Sequence, residues 1–201
     1  MYQSFMLSCV TALAVATDAV TTGDVSFKSL GQFKISEPAF INMSRYEDSG
    51  DDFLLISQFS GTPWAHGSVS VVTGIKDAIV AEDLSKVSTT KLDSIDFKWP
   101  NDVKIIPFDV FEERAIVVPD GFLVPGHKNG GVYVIRMDQT DLTTVIDTVK
   151  ISPDLDNYFY HMGEWIDMNG DGRKDFIIAR SNAEAGGGRL VWFEHPEGGL
   201  D

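Results

Sequence analysis

The sequence has 201 residues, of which 43% are hydrophobic, enough for one large domain with a real core and too apolar for wholesale disorder. Sixteen Lys and Arg stand against thirty Asp and Glu, a formal net charge of −14. That balance repels nucleic-acid phosphates and anionic membrane surfaces and attracts cations, so it argues against a nucleic-acid partner.

In chain order, the first predicted element is a secretory signal over residues 1–16, leaving a mature chain of 17–201. Phe5 to Ala16 carries no charge, and Ala14-Val15-Ala16 has the small-x-small form that signal peptidase prefers. The run is too short to anchor the chain across a bilayer, and no second apolar segment is long enough to cross one. Cleavage after Ala16 removes Cys9, the sole cysteine, so core burial and bound metal must do what disulfides do in other exported proteins. Asn42-Met43-Ser44 is an N-glycosylation sequon, which makes Asn42 a candidate glycan site on a secreted, extracellular glycoprotein.

Past the signal, short apolar runs or alternations rich in Val, Ile and Phe predict strands: DFLLISQF, GSVSVVTGI, VKIIPFDVF, AIVVP, GGVYVIRM, TTVIDTVKI, DFIIAR and GRLVWFEH. Gly, Pro, Asn and Asp clusters such as SGDD, SGTP, GHKNGG, NGDG and AGGG separate them. A brief helix is predicted only around Ile75 to Lys86. The expected fold is therefore all-β.

The strands also recur. Asp52-Phe53-Leu54-Leu55-Ile56 and Asp175-Phe176-Ile177-Ile178-Ala179 lie 123 positions apart, and the Gly-led strands that follow them, from Gly67 and Gly188, lie 121 apart. A third copy, Arg114 to Val118 followed by Gly131 to Ile135, falls near the midpoint. Three units result, at approximately 25–75, 87–137 and 143–197, each with room for about four antiparallel strands, the content of a β-propeller blade. Closed propellers have about four to eight blades. Three units therefore predict an incomplete ring, a fragment of a longer chain, or closure with a partner through exposed sheet edges.

Between the predicted strands of the third unit stands Asp167-Met168-Asn169-Gly170-Asp171-Gly172-Arg173-Lys174-Asp175, of the form D-x-N-x-D-G-x-x-D. Asp167, Asn169, Asp171 and Asp175 supply side-chain oxygens at loop positions 1, 3, 5 and 9, and Arg173 offers its backbone carbonyl with its side chain expected in water. A hard cation such as Ca²⁺ takes about six to eight oxygens, and this spacing wraps them round one point. Ile178 stands where an EF-hand requires a bidentate Glu, and the flanking Glu164-Trp165-Ile166 and Phe176 to Ala179 read as strands. The expectation is a calcium-binding β-hairpin. In the first unit Tyr46 and Ser44 fall on ligand positions, and in the second Arg114 falls where Asp175 stands, so one complete site is expected.

Over Gly163 to Pro196 the sequence resembles the FG-GAP and VCBS repeat family, the calcium-loop blades of integrin α-subunit propellers and of many secreted proteins. The resemblance implies a β-propeller fold and structural calcium. It implies little about activity.

No catalytic motif accompanies the loop. His66, His127, His161 and His195 form no i, i+4 pair and have no neighbouring cysteine, against the common zinc sites. Glu112-Glu113, Asp51-Asp52 and Glu82-Asp83 are paired carboxylates in an acid-rich chain, where such pairs carry little meaning singly. Trp64, beside Pro63 and His66, would suit sugar stacking if exposed. The leading expectation is a non-enzymatic protein of extracellular matrix or adhesion, binding a protein or glycan partner. The alternatives are a polysaccharide-active enzyme or its carbohydrate-binding propeller, and an acidic matrix protein of a calcified tissue.

Overall fold

The computed structural model describes residues 20–22, 25–46, 50–60, 62, 64–92, 95–122, 128–182 and 186–197. The predicted signal segment 1–16 and His127 lie outside them. The fold is all-β. A short hairpin of β1 (Val20–Thr22) and β2 (Val25–Phe27) precedes three antiparallel sheets.

The first sheet is a meander of β3 (Pro38–Ser44), β4 (Phe53–Gln58), β5 (Ser68–Thr73) and β6 (Ser88–Lys91). The second repeats the pattern with β7 (Lys104–Ile105), β8 (Ala115–Asp120), β9 (Gly131–Met137) and β10 (Val145–Lys150). The third has three strands among the described residues, β11 (Tyr158–Ile166), β12 (Asp175–Asn182) and β13 (Arg189–Phe193), where the sequence predicts about four per unit. The recurring sequence segments are thus the second and third strands of three successive sheets. The predicted helix is α1 (Ile75–Val80), followed by a single 3₁₀ turn at Leu84–Lys86.

Burial explains why the second strands read as unbroken apolar runs. Every residue of β8 is buried, because its sheet lies between the other two and both faces are covered. Ile116 and Val118 pack with Phe53, Leu55, Val69 and Val71 of the first sheet. The alternate residues Ala115 and Val117 pack with Tyr160, Phe176 and Ile178 of the third. The far face of the first sheet is covered by Ile75 of α1 together with Phe33 and Ile35.

One predicted strand is largely a turn. In VKIIPFDVF only Lys104 and Ile105 pair, because Pro107 has no N–H to continue the ladder and its carbonyl instead accepts from Val110 (2.9 Å) and Phe111 (3.1 Å).

A polar chain links the first strands of the sheets. Asn42 on β3 donates to Asp102 Oδ1 (2.9 Å) and to the Val103 carbonyl (2.8 Å). The Lys104 ammonium lies 3.6 Å from Asp102 Oδ2, donates to the Gly163 carbonyl (2.9 Å) and pairs with Glu164 on β11. Asp102 is buried, and that burial pushes its carboxyl above the ordinary value against the pull of Lys104.

Candidate metal loop

β11 and β12 pair from Tyr158↔Asn182 to Ile166↔Asp175, with a bulge between Tyr160 and Gly163. Gly163 lets β11 cross directly over the Phe176 ring, since a Cβ there would meet Phe176 at 2.5 Å. The Trp165 ring packs on Phe176 at 4.6 Å between centroids, fixing the two strands beneath the loop. Residues 167–174 therefore project from the end of an antiparallel hairpin.

The loop winds round the Asp167 carboxylate. Its Oδ1 accepts from the N–H groups of Gly170 (2.7 Å) and Asp171 (3.2 Å), and its Oδ2 from Gly172 (2.9 Å). Asn169 Oδ1 accepts from Asp171 N–H (3.0 Å), and Asp171 Oδ1 from Arg173 N–H (2.8 Å). Gly170 and Gly172 sit at φ of 79° and 87°, where any side chain would be strained.

Asp175 closes the base of the loop. It is only 1% exposed, and its two oxygens accept from His195 N–H (2.8 Å) and Met168 N–H (3.1 Å). The His195 N–H first, then Met168 N–H and the Trp192 side chain, hold its carboxyl below the ordinary value against desolvation.

Two features differ from the sequence-based picture. The Arg173 side chain, 37% exposed, is not free in water but folds back to form an ion pair with Asp171 Oδ2, two residues away. Glu194, just past β13, also joins the loop by accepting from Asn169 Nδ2 (3.1 Å), which also donates to Asp171 Oδ2 (3.1 Å). Glu194 and His195 were invisible as loop residues because the fold, not spacing, brings the end of β13 to the hairpin.

Among the described residues, no group of three or more His, Cys, Asp or Glu side chains is arranged to hold a metal ion. The donor chemistry nevertheless suits a hard cation, with three carboxylates and an amide oxygen on one turn and Glu194 beside them. Each carboxylate oxygen has more than one acceptor site, so a loop N–H does not exhaust it. Asp171 Oδ2, one of these oxygens, is also paired with the Arg173 guanidinium.

In the first two sheets, buried side chains stand at positions that correspond to loop ligands. Tyr46 is buried with its ring 5.4 Å from Phe53 and 6.0 Å from Phe108, and its hydroxyl donates to the Ala115 carbonyl (3.1 Å). Arg114, where Asp175 stands in the third sheet, is buried with its guanidinium 5.6 Å from the Tyr46 ring centre.

The remaining candidates are dispersed. Asn42 is half-buried, and its Nδ2, the atom a glycan would use, makes the two hydrogen bonds to Asp102 and Val103. His66 is exposed, and His161 lies 4.9 Å from the Phe159 ring, its imidazole held below the ordinary value by burial. The paired carboxylates are occupied structurally: Asp52 with Arg45, Glu113 with Arg136, Glu82 with Lys28, and Asp83 capping the 3₁₀ turn. Trp64 is 84% exposed. No protein-family model, curated protein or solved structure matches the chain.

Proposed function

We propose that this protein is a secreted calcium-binding repeat protein of the FG-GAP and VCBS kind, with blade-like sheets and a structural or interaction role outside the cell. One observation carries the reading: the D-x-N-x-D-G-x-x-D segment is an antiparallel hairpin loop wound round Asp167 and closed by Asp175. Face-to-face packing of successive meanders, with polar links between their first strands, supports a propeller-type arrangement.

Asp167, Asn169, Asp171 and Asp175, with the Arg173 carbonyl, would hold the ion. Bound calcium would neutralise the loop carboxylates and stiffen the hairpin. An ion that binds only the folded state stabilises it by about 2.7 kcal/mol at a hundredfold excess over its dissociation constant. For a domain of this size that raises the melting temperature by about 5–10 °C. Melting curves in calcium and in chelator test this: a rise that Asp171→Ala abolishes is expected, and coincident wild-type curves would count against calcium binding.

A glycan-binding role is the second reading, favoured by the exposure of Trp64. Retention on a polysaccharide panel that Trp64→Ala removes would support it.

A further inference from the structure

Toward the end of β12 away from the metal loop, its pairing with β13 sets Arg180 directly opposite Arg189. Opposed residues of an antiparallel pair point to one face with Cβ atoms about 5 Å apart, and like charges so placed repel. Carboxylates are plentiful, with thirty Asp and Glu against sixteen Lys and Arg. Arg45, Arg136 and Arg173 each hold one, whereas among the described residues Arg180 and Arg189 hold none.

Both guanidinium groups are instead held by uncharged partners. That of Arg180 lies over the Tyr158 ring, 4.8 Å from its centre. Arg189 Nη1 donates to the carbonyls of Gly186 and Gly188, each at 2.7 Å. Neither contact neutralises the charge, and each fork has more N–H donors than these contacts use. Space is open beside Arg189, which is exposed: a Cβ at Gly186 or Gly188 would meet nothing within 4 Å.

An oxyanion would remove the repulsion and accept from both forks at once. One guanidinium suffices for a planar carboxylate, whereas two set side by side reach the spread oxygens of a tetrahedral group. A long polyanion would bring further negative charge against a chain of −14, which favours a compact ligand. We propose that Arg180 and Arg189 form a site for one tetrahedral oxyanion, sulfate or phosphate, free or carried as an ester on a small sugar. The site shares no residue with the metal loop, so it stands or falls separately from the calcium reading.

The test is a calorimetric titration of the full chain, at constant ionic strength, with inorganic sulfate, inorganic phosphate, glucose 6-sulfate and glucose 6-phosphate. Saturable one-to-one binding of at least one of them is expected. Tighter binding of the inorganic ions marks a free anion as the ligand, and tighter binding of the esters marks a sugar-borne one. Arg180→Gln and Arg189→Gln should each weaken binding about tenfold or more, with the far-ultraviolet dichroism unchanged. Lys91→Gln, at an exposed position of the first sheet, should leave it as it was. Arg189 is on the surface, so its variant decides the matter even if the Arg180 variant does not fold. The proposal is overturned if none of the probes binds saturably, if Arg189→Gln leaves binding undiminished, or if Lys91→Gln weakens it as much.

Discussion

Asp120→Ala should lower stability by about 3 kcal/mol, a fall of roughly 10 °C in melting temperature. Asp120 ends β8 and is 2% exposed. Its Oδ1 accepts from Trp99 N–H (2.7 Å) and its Oδ2 from Lys98 N–H (3.0 Å). Those two residues belong to the link between the first and second sheets, so the carboxylate fixes where one sheet ends and the next begins. Alanine leaves both donors without an acceptor in a place water reaches poorly.

The pH dependence has a definite sign. Burial first, against the backbone hydrogen bonds, pushes the Asp120 carboxyl above its ordinary value. A carboxyl raised on folding contributes most below its unfolded value, and the contribution declines as pH rises through the folded value. The stability gap between wild type and Asp120→Ala should therefore widen on acidification. Denaturant melts of both proteins across the acid range measure it, and a gap that narrows instead would contradict the assignment.

The second large effect is expected at Arg173. Its guanidinium sits on Asp171 Oδ2, one of the oxygens calcium needs, and adds a positive charge inside the loop. Arg173→Gln keeps the backbone carbonyl and removes both the competitor and the repulsion, so calcium should bind about tenfold more tightly. Arg173→Lys, which keeps the charge, should stay close to wild type. Unchanged or weaker binding by the Gln variant would show that the ion pair does not compete with the metal.

What the sequence revealed follows from how each strand is buried. β4 and β8 were legible because coverage on both faces demands continuous apolar residues. β3 was missed because it exposes Phe40, Ile41 and Met43 and turns Asn42 toward Asp102, leaving no clean alternation. β6, a Ser-Thr-Thr-Lys edge strand, is mostly solvent-facing and so has no apolar signature. Only the last three residues of β11 were recognised, since its earlier part is broken by the bulge before Gly163.

The same division runs through the site. Side-chain oxygens at fixed spacing in one turn are a local property, and the loop was readable from Asp167 to Asp175. Glu194 and His195 stand just past β13, about twenty residues beyond Asp175, and meet the hairpin only through sheet pairing. Arg173 was counted for its carbonyl alone, since its side chain's return to Asp171 depends on the loop's conformation.

The central claim is that the hairpin loop binds calcium, and a calorimetric titration of calcium into the chelator-treated protein tests it most directly. One ion per chain is expected, lost in Asp171→Ala. No binding at millimolar calcium, or one-to-one binding that survives Asp171→Ala, would contradict it.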